Sequence, residues 1–162
     1  MKITDTHVYF YSANQCFSNW HKCEFKDILD KKVTFYNSEQ AFMWYKADFF
    51  HDILIRDRIE KTKDPRQAKE LGRAIKNYDD LIWSIHRLSK MTIVNILKFE
   101  QNEEFRKELL DTGDRILVEA SPYDTIWGVG LMEDDPLILD EKNWKGTNLL
   151  GVSLMDVRRL IR

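Results

Sequence analysis

Candidate chemistry begins at Glu39. It lies in "VTFYNSEQAFMWYKADFF", residues 33–50, a stretch holding seven aromatic side chains. A carboxyl walled by Phe35, Phe42, Trp44 and Tyr45 would keep its proton to higher pH, which suits general acid work near neutrality. A first-turn carboxylate is also what a helix dipole favours, by about 0.3–1 kcal/mol, and the dipole drives the proton off. Residue types alone leave both readings open.

A second candidate is "SPYDTIWGVG", residues 121–130. Asp124 stands three residues before Trp127, and Gly128 and Gly130 let the backbone turn sharply and approach a ligand. A tryptophan held on such a loop offers a flat face to a nucleobase; a turn whose tryptophan plugs the core is the alternative. In "WKGTNLLG", residues 144–151, Thr147 or Asn148 can cap the last helix, whose N–H groups would attract phosphate or carboxylate. "CFSNWHKCEF", residues 16–25, sets Phe17, Ser18, Asn19 and Trp20 in a polar-aromatic loop. Trp83, Arg87 and Met91 recur every four residues and share a helix face, so Arg87 either snorkels from a core stripe or faces phosphate. Cys16 and His21 have no third group to orient them as nucleophile and base. The four histidines lack metal-ligand spacing.

The elements that must position these residues follow from composition and period. The chain has 162 residues, 43% hydrophobic and 32% charged, with net charge −2. Those values imply one globular domain over residues 1–162 and exclude a disordered or globally basic protein. No stretch reaches the roughly 18 apolar residues of a membrane span, and two cysteines are too few for a disulfide framework. A reducing cytoplasm is the expected compartment. Lys61, Lys63, Arg66, Lys69, Arg73 and Lys76 crowd one region; a solvated helix face accounts for them.

"HVYFYS", "KCEF" and "KVTFY" predict short early strands. Asn37 and Gln40 form a capping box that starts a helix. Asp64 and Pro65 start another, which Gln67 supports by reaching back and Gly72 weakens or ends. A long helix is expected from about Asp80 to Phe99, with Leu81, Ile85, Leu88, Thr92 and Ile96 near one face. Asn102 caps "EEFRKELLD", and "RILVEA" reads as a buried strand. Residues 121–146 form a long loop, of the kind that carries function. A last helix from about Thr147 buries Leu150, Leu154, Val157 and Ile161. The expected class is α+β, a compact helix-rich domain with a small sheet.

Taken in order, these segments resemble one family. They are F-S-N-W, Y-N-S-E-Q-x-F-x-x-x-K, P-x-x-A-x-x-x-G-R, W-x7-M, K-F-E-Q, L-V-E, D-x-x-W-G-x-G and G-x-N-x-L-G-x-x-L-M. Each is weak alone; eight in register, from about Tyr9 to Arg158, resemble the NADAR family of YbiA-like N-glycosidases. The resemblance implies a YbiA-like α+β fold and cleavage of N-glycosidic bonds in nucleotide-like substrates. Such substrates are phosphorylated ribosylamino intermediates of riboflavin synthesis or ADP-ribosylated guanine in nucleic acid. It implies that Glu39 is catalytic and that Asp124, Trp127, Gly128 and Asn148 belong to the site. Phe17, Ser18, Asn19 and Lys46 match further lining positions. Under this reading Glu39 activates water or supports the oxocarbenium ion, Asp124 assists, and Trp127 stacks. Lys46, Arg87 and N–H groups near Asn148 hold phosphate oxygens, and no metal or organic cofactor is required. A non-catalytic ADP-ribose module is the alternative. Two departures bear on substrate choice: Gln40 and Ala41 replace a histidine and tyrosine common after the glutamate, and the spacer "LMEDDPLILDEKNWK" is long.

Overall fold

The structure, a computed structural model, describes residues 1–30 and 32–162. In chain order its strands are β1 (Lys2–Ile3), β2 (His7–Phe10), β3 (Phe25–Lys26), β4 (Thr34–Phe35) and β5 (Ile116–Glu119). The helices are α1 (Ser38–Phe49), α2 (Ile53–Lys61), α3 (Pro65–Arg73), α4 (Asp80–Glu100), α5 (Glu103–Asp111) and α6 (Leu149–Leu160). The architecture is α+β and helix-rich, as expected. The chain divides into two compact units, Met1–Ser18 with Glu104–Arg162, and Asn19–Glu103. Among the described residues no helix is long and apolar enough to cross a membrane.

In the first unit β1 pairs antiparallel with β2, and β2 pairs parallel with β5 in the register His7↔Ile116 to Phe10↔Glu119. Tyr9 and Val118, opposite each other across that ladder, bury one sheet face with Ala120, Val129, Leu131 and Ile138. The long loop therefore folds back as core, helped by two 3-10 turns at Pro136–Leu139 and Glu141–Asn143. Helix α6 packs on β5 and buries the expected stripe, Leu150, Leu154, Val157 and Ile161.

The α6–β5 contact is close because two residues permit it. A Cβ on Gly151 would lie 2.0 Å from the Leu117 carbonyl oxygen. Asn148 adopts a left-handed backbone, φ 52°, which an asparagine tolerates better than most residues. Its Nδ2 donates to the Leu117 carbonyl at 2.8 Å, and its Oδ1 accepts from the Glu119 N–H at 3.0 Å. One amide side chain thus satisfies the edge of β5 as a neighbouring strand would. The expectation that Asn148 or Thr147 caps α6 does not hold: Asn148 makes no side-chain cap, and the Thr147 hydroxyl donates to the Ile126 carbonyl.

In the second unit β3 and β4 form a separate antiparallel pair, and α1 packs against α2, α3 and α4. Phe35 meets Phe25, Trp44 and Tyr45 at ring separations of 5.6, 5.7 and 6.1 Å. Trp83 meets Phe42, Phe49 and Phe50 at 5.3, 5.9 and 6.1 Å. The aromatic segment therefore supplies two clusters.

The structure fixes the faces of α4 and changes two expectations for α3. The Leu81 row of α4 turns outward at its start, with Leu81 75% and Ile85 71% exposed, and is half-buried at Leu88, Thr92 and Ile96. The buried side carries Trp83, Met91, Val94 and Leu97, because the tryptophan is what the α1 aromatics pack on. Gly72 lies within α3 and neither ends nor disrupts it; a Cβ there would come within 2.0 Å of the Met43 sulfur, so glycine brings α3 against α1. Gln67 bonds the Thr62 hydroxyl rather than its own N-cap. Helix α2 has no counterpart in the sequence reading.

Gly151→Ala is expected to cost about 1–3 kcal/mol, because overpacking against backbone outweighs the ~1 kcal/mol of helix propensity gained. Asn148→Ala is expected to cost about 1–3 kcal/mol for each β5 group left unpaired. Both should lower the urea midpoint; an unchanged midpoint for either variant would refute this account of the junction.

Candidate active site

Glu39 is fixed by the start of α1. The Asn37 side chain accepts from the Gln40 N–H at 2.8 Å, and the Gln40 Oε1 accepts from the Tyr36 N–H at 2.8 Å. The box thus reaches one residue further back than expected. The Gln40 Nε2 donates to the carbonyls of Ile59 and Glu60, and the Asn37 Nδ2 to that of Lys63. Glu39 itself is 6% exposed, and its N–H donates to the Asn19 carbonyl at 3.0 Å. Asn19 is equally enclosed, and its Oδ1 is buried with no hydrogen-bond partner among the described residues. A buried acceptor left unmet carries a desolvation cost, so a ligand hydroxyl or N–H would find a ready partner here.

Two turns along α1, Lys46 donates to the Gly72 carbonyl at 3.0 Å and lies 4.0 Å over the Tyr78 ring. Burial lowers its ammonium below the usual lysine value, while the Asp80 and Glu39 charges oppose that shift. The Tyr78 hydroxyl donates to Asp80 at 2.6 Å. Burial and the Asp80 bond push it up to about 12, against the pull of the Arg87 charge. Arg87 is half-buried, and its Nε has no partner among the described residues. The second unit therefore gathers Asn19, Glu39, Lys46 and Arg87 from the expected set, and adds Tyr78 and Asp80. Those two sit after a left-handed Asn77, φ 58°. Their turn, "KNYDD", has no spacing that marks a site.

The first unit holds the remaining candidates. Asp124 Oδ1 accepts from the N–H groups of Ile126 and Trp127 at 2.9 and 2.8 Å, so this carboxylate shapes the loop that carries the half-buried Trp127. Gly128 is required, since a Cβ would meet the Glu119 and Asp124 carbonyl oxygens and Ser121 at 2.9–3.0 Å. Ser18 is buried, and its N–H donates to Gln15.

Three assignments need correction. Phe17 is 1% exposed and packs edge-on to Phe10 at 5.6 Å, which makes it core rather than ligand wall. Asn148 spends both ends of its amide on β5. The N–H groups of Asn148, Leu149 and Leu150 donate to Gly128, Ile126 and Trp127, so the start of α6 is closed to phosphate by its own loop.

The NADAR domain family model matches residues 9–162. N-glycosidase R617 of Acanthamoeba polyphaga mimivirus is 37% identical, over 96% of this chain and 96% of its own length. N-glycosidase Npun_R5314 of Nostoc punctiforme is 33% identical, over 96% of this chain and 92% of its own. The NMR structure of Escherichia coli YbiA superposes with a TM-score of 0.77 at 30% identity, covering 98% of this chain and 86% of that one. With a family match over almost the whole chain and relatives aligned nearly end to end, this chain belongs to the NADAR domain family.

Proposed function

We propose that this chain is an N-glycosidase that hydrolyses the N-glycosidic bond of a nucleotide-like substrate, with Glu39 as its catalytic carboxylate. The observation that carries this reading is the buried Glu39 beside the unmet Asn19 Oδ1. Similarity to proteins named as N-glycosidases supports the bond type. In the reaction water adds at the anomeric carbon as the carbon–nitrogen bond breaks. Glu39 takes the proton of that water and faces the oxocarbenium character of the transition state, one of the two tasks that paired acids share in glycoside hydrolysis, while the departing nitrogen keeps the bonding pair and takes up a proton from solvent.

The other residues take roles their surroundings support. Asn19 Oδ1 accepts from a ribose hydroxyl. Lys46 and Arg87 take phosphate oxygens: an anion offsets the desolvation of a lysine that burial disfavours. In the first unit, Trp127 offers a flat apolar face on the loop that Asp124 shapes. The substrate is a small phosphorylated ribosyl compound or an ADP-ribose unit on guanine. A net charge of −2 favours the small compound over a long polyanion.

Glu39→Gln is expected to fold like wild type and to lose about 10²–10⁴-fold in turnover. The assay incubates the protein with ADP-ribosylated guanine DNA and with a phosphorylated ribosylamino-pyrimidine, and measures released base. Wild-type rates in Glu39→Gln would remove Glu39 from the mechanism. No turnover by wild type, with tight ADP-ribose binding, would make the chain a binding module.

Lys46 yields a pH expectation. Because its ammonium is held below the ordinary value, affinity for a phosphorylated substrate should fall as pH rises through that lowered value. The resulting alkaline limb of kcat/KM should move upward in Lys46→Arg, whose guanidinium stays charged. An alkaline limb unchanged in that variant would contradict the role.

A further inference from the structure

An open cavity in the first unit, beside the C-terminal half of α6, is lined by none of the candidate residues above. It holds about 340 Å³ and has a polar lining of Asp114, Asp156, Arg158, Arg159 and Arg162, with Val152 and Met155 as its apolar wall. Three guanidinium charges against two carboxylates leave one positive charge in excess.

The arginines differ in what they are doing. Arg159 pairs with Asp156 on its own helix, and Arg162 pairs with Asp114 at 2.6 Å. Arg159 is 73% and Asp114 91% exposed at the side chain. Exposed pairs of this kind are weak, so both guanidiniums can turn to a better partner. Arg158 is 5% exposed. Its Nη1 donates to the Thr112 hydroxyl at 2.7 Å and to the Arg115 carbonyl at 2.9 Å, both neutral. Its Nε is buried with no partner, and no carboxylate reaches it within ion-pair distance among the described residues. Burial, with Arg162 beside it, holds this guanidinium below its ordinary value.

A buried charge without a counter-ion is costly. The C-terminal dipole of α6 accounts for basic residues in the last turn. It does not account for a buried guanidinium without a carboxylate beside an open, positively charged cavity.

We infer that this cavity binds the phosphate group of a small molecule, with Arg158, Arg159 and Arg162 as its ligands. Guanidinium forks match phosphate oxygens bidentately, and a singly charged phosphate balances the excess. The volume leaves room beside the phosphate for a sugar-sized remainder against Val152 and Met155. The site is independent of the N-glycosidase reading, since it uses none of the residues assigned to that chemistry.

The test is thermal unfolding of the full chain with inorganic phosphate and, separately, ribose 5-phosphate, each against sodium chloride at equal ionic strength. A saturable rise in Tm is expected, about 3–6 °C at tenfold above Kd. It should be abolished or strongly reduced in the Arg159→Ala/Arg162→Ala double variant, whose exposed positions leave fold and turnover unchanged. A larger response to ribose 5-phosphate identifies a phosphorylated sugar, and an equal response identifies free phosphate; either supports the site. The Arg158 Nε–H resonance should shift along the same titration, a readout that does not depend on any variant folding. No rise beyond the chloride control would overturn the inference, as would an equal rise in the double variant or an unmoved Arg158 resonance.

Discussion

The placement of Glu39 rests on two buried amide side chains. Asn37 and Gln40 between them hold the Gln40 and Tyr36 N–H groups and the carbonyls of Ile59, Glu60 and Lys63. Gln40 is wholly enclosed and Asn37 nearly so, where each bond left unmade costs about 1–3 kcal/mol. The entry of α1, the exit of α2 and the strand before them are therefore locked to one another. Glu39, between those amides, inherits a fixed backbone position from the lock.

The first unit uses the same device at another place. Asn148 substitutes for a strand residue along β5, and Gly151 clears the space for it. Both units thus hold key backbone with neutral amides, which need no counter-charge and suffer less from burial than ions do. The carboxylates divide similarly. Asp27 is buried and accepts from Leu29, Asp30 and the Tyr45 phenol, and that phenol is held far above its usual range by burial and the Asp27 bond. Asp124 shapes a loop.

How much of this could be read beforehand follows from what each signal encodes. Asp64 with Pro65, and the Leu150–Ile161 stripe, are local patterns whose meaning survives folding. On α4 the spacing of Trp83 and Met91 marks the core side, which the aliphatic row through Leu81 and Ile85 does not share. Helix α2 escaped notice because its charged sequence buries only Ile55 and Ile59. The first-turn position of Glu39 follows from the Asn37 cap. Asn148 was misread because capping and strand completion demand the same side chain. Tyr78 and Asp80 were invisible, since their relation to Lys46 exists only once α1 and α4 have packed.

The pairing of β2 with β5 has a consequence for biosynthesis. Residues 7–10 must await residues 116–119, and the whole Asn19–Glu103 unit is translated between them. That unit is continuous in sequence, so it can mature while the amino-terminal hairpin still lacks its parallel neighbour. Closure of so long a loop is slow, which leaves Val8 and Phe10 without their parallel partner strand on the nascent polypeptide until the ribosome has delivered the last third of the chain.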